Sequence, residues 1–236
     1  MNSELLINGI TSLGGSIDDI KIQQFKRYSA LLKEWNEKMN LTAICDDDGI
    51  STKHFLDSIL PLYHTEIPQE VSIADIGTGA GFPGIPLKIM RPDIKIVLLD
   101  SLQKRIRFLE EVVRELNLEN VTCIHGRAEE LGKNPKYREK FDVVTSRAVA
   151  NLKLLGEYCL PLVKKDGFFL ALKAEDIEQE LSDAKPMLGN LGGEVTEVIS
   201  APLPMSDMTR KLLIIKKVKP TPPQFPRSAN KLKKSK

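Results

Sequence analysis

The residues whose spacing most clearly suggests chemistry lie in the glycine-rich segment 75–84, which reads DIGTGAGFPG. Gly77, Gly79 and Gly81 let the backbone turn tightly and approach a ligand, and the amides at the start of the next predicted helix face the same point. A dinucleotide-binding fingerprint, G-x-G-x-x-G, would require glycine where Phe82 stands. The observed spacing favours a ligand without pyrophosphate, namely the aminoacyl end and ribose of S-adenosylmethionine.

Acidic residues occupy the places where this ligand would need them. Asp75 stands two residues before Gly77, and Asp100 ends the next apolar run, where its carboxylate can accept hydrogen bonds from both ribose hydroxyls. Ala128 and Glu129 follow the third run, where the edge of an adenine would be read. Two plainer interpretations stay open, because the glycines could only pack a helix against a strand and Asp100 could cap the next helix.

The segment after the fourth predicted strand limits the atom that could be methylated. Methylation of an exocyclic amine calls for an Asn/Asp-Pro-Pro-aromatic group here, whereas residues 145–148 read TSRA. Methylation of carbon 5 of a pyrimidine needs a cysteine nucleophile, but Cys159 falls inside a predicted helix, where a small buried hydrophobe is the favoured interpretation. Ribose methylation needs a basic group near the hydroxyl. Lys173 could belong to such a group, although no aspartate follows the strand.

A target atom that is already nucleophilic fits these residues best. Guanine N7 has an in-plane lone pair and loses no proton on methylation, so the protein must mainly align the methyl donor with the base. We therefore expect no catalytic acid or base. Arg147 suits an orienting role because a guanidinium can contact guanine, phosphate or the cofactor carboxylate, and a structural salt bridge is its alternative role.

Short apolar runs alternate with amphipathic segments after Pro68. The runs that we interpret as strands are VSIADI, IKIVLL, VTCIH, FDVVTS, GFFLALK, EVTEVIS and KLLIIKKV. Alternation of strands and helices predicts right-handed crossovers and a mostly parallel sheet covered on both faces. The last two runs have no helix-sized segment between them and predict an antiparallel pair at one edge. An α/β fold with seven such strands is the Rossmann-like class I methyltransferase pattern, not the six-stranded dehydrogenase pattern.

Helices should precede this sheet. Apolar residues recur at helical spacing over residues 16–39, with Ser16 as the expected cap of the helix. They recur again over residues 52–63, where Pro61 should bend or end the helix. Because these helices have no strand to face locally, we expect them to pack as a cap on the sheet.

Three regions follow from these patterns. They are a helical cap over 1–66, an S-adenosylmethionine-binding domain over 67–219, and a mobile, basic tail rich in proline and lysine over 220–236. The formal net charge is +2, but six basic and no acidic residues stand from position 219 onwards, which leaves 28 basic against 32 acidic residues before it. Attraction to an anionic partner must therefore be local.

Composition narrows the class of protein. The chain is 42% hydrophobic and 28% charged, which is ordinary for a soluble globular protein. No apolar run approaches the roughly 20 residues that span a bilayer, and no signal-peptide pattern is visible. The three cysteines contain no C-x-x-C pair, which predicts reduced thiols and neither a disulfide framework nor a zinc site. We expect a cytoplasmic protein without a membrane or metal partner.

The sequence resembles the RsmG (GidB) family of bacterial 16S rRNA guanine-N7 methyltransferases. The segments that carry the resemblance are 40–44, 54–58, 75–87, 99–101, 127–129 and 144–149. The similarity runs from about the first helix through the fifth strand, and GFPGIP and TSRAVA are specific rather than generic to the fold. The resemblance implies S-adenosylmethionine as cofactor, in contact with Gly77, Phe82, Ala128, Glu129 and Arg147.

The resemblance also implies a substrate, a guanine in the decoding-region loop of 16S rRNA, on the small ribosomal subunit or its assembly intermediate. Residues that could meet this RNA are Lys53, His54, Lys173 and Arg227. The two lysines could instead be solvated, and His54 could be satisfied between cap and sheet or hold Asp57. Methylation of another RNA position, a small-molecule or protein methyltransferase, and a non-catalytic RNA-binding module stay open.

Overall fold

The computed structural model describes residues 1–147 and 150–228. Within these ranges the helices are α1 (Ser3–Ser12), α2 (Asp19–Met39), α3 (Asp47–Gly49), α4 (Asp57–Ile59), α5 (Pro61–His64), α6 (Gly84–Met90), α7 (Gln103–Glu115), α8 (Ala128–Leu131), α9 (Leu152–Cys159) and α10 (Glu178–Asn190). The strands are β1 (Ser72–Ile76), β2 (Lys95–Asp100), β3 (Val121–His125), β4 (Phe141–Ser146), β5 (Val163–Lys173), β6 (Gly193–Pro202) and β7 (Thr209–Lys217). A π-helical segment, Ile50–Leu56, joins α3 to α4.

The strands form one seven-stranded sheet in the order β3-β2-β1-β4-β5-β7-β6. Strands β1 to β5 are parallel, and Ala74 at the middle of β1 pairs with Val97 of β2 and Val144 of β4. Strand β7 is antiparallel to both β5 and β6. The predicted Rossmann-like sheet and its terminal antiparallel pair are confirmed. The chain order reverses between β1 and β4, so a crevice opens there at the carboxyl ends of the strands.

Two hydrophobic layers cover the sheet, as predicted for a doubly covered parallel sheet. Helices α9 and α10 pack on one face around Leu155, Cys159 and Leu188. On the other face α6, α7 and the N-terminal helices share a single core with the sheet. The aromatic side chains at its centre are Phe25, Tyr28, Phe55 and Phe108. In the described part of the chain, no helix is long and apolar enough to cross a membrane.

The N-terminal helices differ in detail from the sequence prediction. The expected cap at Ser16 is wrong, because Asp18 caps α2: its carboxylate accepts a hydrogen bond from the Lys21 amide at 2.8 Å. Helix α1 was not predicted. Pro61 separates α4 from α5, which confirms that it interrupts the helix. The regional boundary after residue 66 stays a prediction.

The beginning of the C-terminal tail is held against the sheet domain, so the prediction of a mobile tail from Pro220 is wrong for residues 220–228. The Arg138 guanidinium donates to the carbonyl oxygens of Thr221 and Phe225 at 2.7 and 2.8 Å. The Arg227 guanidinium pairs with the buried Glu157 carboxylate of α9, with Nη2 at 2.8 Å from Oε2. The lysines beyond Ser228 lie outside the described residues.

We expect Arg227→Met to lower the free energy of unfolding by about 3 kcal/mol, because Glu157 would become an uncompensated buried charge. Removing that charge as well, in the double variant with Glu157→Gln, should restore part of the loss. Urea unfolding measures both. Arg114→Met is the matched control, since Arg114 pairs with Glu115 at an exposed site and should cost less than about 1 kcal/mol. Equal effects at the two sites would show that the tail contact contributes no more than an exposed ion pair.

Candidate active site

The glycine turn after β1 adopts a backbone that other residues resist. Gly77, Gly79 and Gly81 have φ angles of 69°, 63° and 98°. A Cβ at Gly81 would lie 2.7 Å from the Tyr28 hydroxyl, which donates a hydrogen bond to the Ala80 carbonyl. A Cβ at Gly79 would meet no atom within 4 Å. The cap therefore holds one side of the turn, and the other side is open.

The buried Asp75 side chain holds the two ends of the turn together. Its Oδ2 accepts hydrogen bonds from the Thr78 hydroxyl at 2.7 Å and from the Gly84 amide, at the start of α6, at 2.9 Å. Burial raises the pKa of Asp75 to about 6. Its Oδ1 is buried and has no hydrogen-bond partner among the described residues. Asp75 thus shapes the turn and leaves one acceptor atom unsatisfied beneath it.

Asp100, at the end of β2, supports the turn from the side. Its Oδ2 accepts from the Gly79 amide at 3.0 Å and from Arg105 Nη1 at 3.1 Å. Its Oδ1 accepts from the Leu102 amide at 2.9 Å. The carboxylate is therefore partly engaged in the protein, and Arg105 is a site residue that the sequence analysis missed. Its position on the first turn of α7, close in sequence to Asp100, was the available signal.

A first cavity of about 280 Å³ opens beside the turn, at the ends of β1, β2 and β3. It brings together four residues predicted to bind the cofactor, Gly77, Asp100, Ala128 and Glu129. Tyr158 of α9, which the sequence analysis missed, forms part of the opposite wall. A carboxylate, backbone amides and apolar side chains in one concave site could hold a nucleoside-containing cofactor.

A second cavity of about 510 Å³ lies beside the first and is lined by Arg147. Arg147, the first residue after β4, lines the second cavity, and Ala150, three residues later, lines the first. The Arg147 side chain is only 18% exposed. Its Nη1 lies 3.0 Å from Asp57 Oδ2 and 3.1 Å from the Lys53 carbonyl oxygen. Both partners belong to the N-terminal segments. Arg147 therefore forms a structural salt bridge, its alternative role, and also lines the second cavity.

Asp57 joins two arginines that are far apart in sequence. Its Oδ2 pairs with Arg147 and its Oδ1 accepts from Arg210 Nε at 2.9 Å. The carboxylate is buried. Arg210 stands near the start of β7 and lines the second cavity, and no local sequence pattern marks it. One interpretation of the sequence was a hydrogen bond between His54 and Asp57. In the structure each of them instead contacts Arg147.

His54 is held in its neutral form. Its ring stacks on Phe82, with centroids 4.4 Å apart and planes at 13°. An arginine can only donate, so the Arg147 Nη2 contact at 3.4 Å makes His54 Nδ1 the acceptor. Nε2 then carries the proton and donates to the Thr42 hydroxyl at 2.8 Å. Burial, with the nearby Arg147 cation, lowers the pKa of His54 to about 3.

Phe82 packs against His54 and Arg147, which line the second cavity, and does not line the first. The Arg147 guanidinium lies 4.8 Å from the centre of its ring, and Tyr28 packs on another side. Phe82 and Arg147 are therefore not among the residues that line the first cavity. Their direct contact with a cofactor stays a prediction.

The predicted RNA contacts have different surroundings. Lys53 is exposed at the second cavity. Lys173 lines the same cavity, but its Nζ lies 2.7 Å from Glu180 Oε1 and 3.2 Å from the Ala150 carbonyl oxygen. Arg227 pairs with Glu157, away from both cavities. Lys53 alone among the three keeps an exposed side chain at a cavity.

Comparison with known proteins now identifies the group to which the chain is related. A model of the rRNA small subunit methyltransferase G (GidB) family matches residues 21–206. The chain belongs to this family. It is 49% identical over 232 residues to ribosomal RNA small subunit methyltransferase G of Thermoanaerobacter sp. (strain X514), covering 98% of this chain and 97% of the relative. The corresponding protein of Alkaliphilus oremlandii (strain OhILAs) is 50% identical over 228 residues, covering 97% and 95%.

Solved structures agree on the fold of this family member. A SAM-dependent methyltransferase from Aquifex aeolicus superposes with a TM-score of 0.52 at 16% identity, covering 78% of this chain and 97% of that one. The fibrillarin pre-rRNA processing protein of Methanococcus jannaschii gives 0.51 at 16% identity, covering 68% and 74%. The class I methyltransferase fold predicted from the sequence is confirmed, and so is the family resemblance.

The geometry around His54 predicts its titration. We expect its ring signals in NMR to show no inflection between about pH 5 and 8, because the folded state holds the ring neutral. His54→Gln identifies the signals among the three histidines. The unfolded chain takes up the proton below about pH 6.5 whereas the folded chain does not, so this group lowers stability as the pH falls from 6.5 towards 3. An inflection near pH 6.5 that disappears in His54→Gln would contradict the assignment.

Proposed function

We propose that the protein methylates guanine N7 in the decoding-region loop of 16S rRNA, with S-adenosylmethionine as methyl donor. The supporting observation is a pair of cavities, the second lined by Arg147 directly after β4 and the first by Ala150 three residues later, in a chain of the small-subunit rRNA methyltransferase family. The first has the groups that a nucleoside cofactor needs. The second has room beside Arg147 for a base. The substrate would be the cytoplasmic small subunit or its assembly intermediate.

The first cavity fits the cofactor by its chemistry. The Asp100 carboxylate lies on its wall for the ribose hydroxyls, and Ala128 and Glu129 lie where the adenine would be read. The open side of Gly79 leaves space for the aminoacyl end. The buried, unsatisfied Asp75 Oδ1 beneath the turn is consistent with a positively charged ligand above it. When bound, S-adenosylmethionine supplies an electrophilic methyl group on a sulfonium.

The groups near the second cavity suit an acceptor that loses no proton. His54 has both ring nitrogens engaged, and Asp57 accepts from two arginines. The lowered pKa of His54 makes it a poor general base, and both oxygens of Asp57 are already held by arginines. Cys159 is fully buried in α9, and burial raises its pKa well above the ordinary value, which argues against a thiolate nucleophile. Guanine N7 needs no base, because its lone pair forms the new bond directly.

Orientation is then the main contribution of the protein. The Phe82 ring and the Asp57 carboxylate both contact the Arg147 guanidinium, so it has a defined direction on the wall of the second cavity. A guanidinium there can donate to guanine O6, which neighbours N7 on the same edge of the base. Holding donor and acceptor in line can supply several kcal/mol of the barrier reduction.

Contact with the rest of the RNA would use local positive charge. Lys53 at the second cavity and Arg127 at the first carry exposed side chains, and the basic residues after Ser228 add to them. Lys173 and Arg227 are proposed as RNA contacts only if the RNA displaces their carboxylate partners. Lys173 with Glu180 also supports a second candidate, ribose 2′-hydroxyl methylation, because a basic group stands in the same cavity.

The glycine turn gives a test of cofactor binding. Gly79→Val should weaken S-adenosylmethionine binding at least tenfold in calorimetric titration, because its side chain would enter the open side of the turn at a positive φ. Circular dichroism should show a folded protein. Gly189→Val controls for glycine replacement, since its Cβ also meets no atom within 4 Å but lies in α10 at an ordinary φ. Unchanged affinity for Gly79→Val would remove the turn from the cofactor site.

The acceptor atom is tested by a single substitution in the RNA. Replacing the target guanine by 7-deazaguanine keeps the Watson–Crick edge and removes the nucleophilic nitrogen. Methylation at that nucleotide should disappear while RNA binding is largely kept, as measured by methyl incorporation and filter binding. If the 7-deaza RNA is still methylated there, N7 is not the acceptor. Loss of that methylation in a 2′-deoxy substrate would then favour the ribose candidate.

A further inference from the structure

Asp57 stands where the cap, β4 and β7 meet, and the proposed function uses it only to direct Arg147. We propose that Asp57 is a positioning residue for methyl transfer, which fixes the guanidinium groups of Arg147 and Arg210 together on the wall of the second cavity. The proposal rests on the proposed function, because it assigns the second cavity to the target nucleotide.

The carboxylate reaches each arginine with a different oxygen. Oδ2 lies 3.0 Å from Arg147 Nη1 and Oδ1 lies 2.9 Å from Arg210 Nε. Asp57 belongs to α4, directly after the π-helical segment, and its side chain is 7% exposed. Charge-assisted hydrogen bonds to both oxygens of a buried carboxylate fix both cations relative to one point. One residue of the cap therefore sets the separation of two groups from distant strands.

Arg210 depends on Asp57 more than Arg147 does. Arg147 has further partners in the cap, including the His54 and Lys53 carbonyl oxygens and the Ser58 hydroxyl. The remaining described contacts of Arg210 are longer: Nη1 lies 3.4 Å from the Thr209 carbonyl oxygen and Nη2 lies 3.7 Å from Met208 Sδ. Without Asp57, the terminal nitrogens of Arg210 would lose their defined direction at the cavity.

The charges in the cavity indicate what this pair would contact. The cationic lining residues are Lys53, Arg147, Lys173 and Arg210, and the carboxylates are Asp57, Asp176 and Glu180. Glu180 neutralises Lys173. Asp57 offsets only one of its two arginines, so this cluster keeps one net positive charge. A phosphodiester next to the target base matches that charge, and a planar guanidinium matches its oxygens.

The competing explanation is that Asp57 only attaches the cap to the sheet. Loss of an attachment would lower thermal stability and weaken cofactor binding and turnover together. Loss of positioning would lower turnover on RNA while cofactor affinity stays close to normal, because no atom of Asp57 lines the first cavity. The loss of turnover relative to the loss of cofactor affinity therefore separates the two roles.

The experiment compares Asp57→Asn with Asp207→Asn in the full-length protein. Asp207 is exposed in the β6–β7 turn near Arg210, lies outside the cavity lining, and gives the same change in charge. We expect Asp57→Asn to lower kcat on small-subunit RNA roughly 100-fold, since misplacement of orienting groups has effects of this size. The Kd for S-adenosylmethionine should stay within about twofold of wild type. Asp207→Asn should match wild type in both.

Arg210→Lys is a second variant, at a half-buried position. It tests the positioning role of Asp57 even if Asp57→Asn does not fold. It keeps the charge and loses the planar fork, so kcat/KM for RNA should fall at least tenfold. The proposal is overturned if Arg210→Lys behaves as wild type, if the two aspartate variants are equal, or if cofactor affinity falls in parallel with turnover. If wild type itself methylates no rRNA guanine, the proposed function fails instead.

Discussion

A guanidinium can be buried only where the protein supplies acceptors for its protons, and the N-terminal segments supply acceptors for Arg147. The π-helical segment presents the carbonyl oxygens of Lys53 and His54 to it, and Asp57 follows at the start of α4. π-Helical turns often occur at functional sites because they redirect backbone groups in this way. The cap is therefore part of the candidate site rather than a separate cover.

The same packing explains why two cavities stand side by side. Tyr28 of the cap holds the glycine turn through the Ala80 carbonyl, while Phe82, the residue after that turn, supports His54 and Arg147. The turn that shapes the first cavity and the cation that borders the second thus rest on one aromatic cluster. Because packed side chains in such a cluster move little, the distance between the two cavities is set by the core.

Local patterns predicted the sheet, the glycine turn and four residues of the first cavity, because alternating runs and glycine spacing express nearby backbone requirements. Contacts between distant segments left no such pattern. Arg210 meets Asp57, and Arg227 meets Glu157, across long stretches of chain, and a charged residue alone does not show its partner. The predicted start of α2 was wrong for a local reason. Ser16 and Asp18 are both good helix caps, and only the backbone conformation selects Asp18.

Neutral His54 is a consequence of this arrangement and not an independent feature. If its ring gained a proton, Nδ1 could no longer accept from Arg147, and a second positive charge would stand against the guanidinium in a buried place. On the proposed chemistry the methylated guanine is itself a cation, so a protonated His54 would add to the positive charge already in that cavity. Burial therefore keeps His54 uncharged, and the packing that orients Arg147 also keeps a further positive charge out of the second cavity.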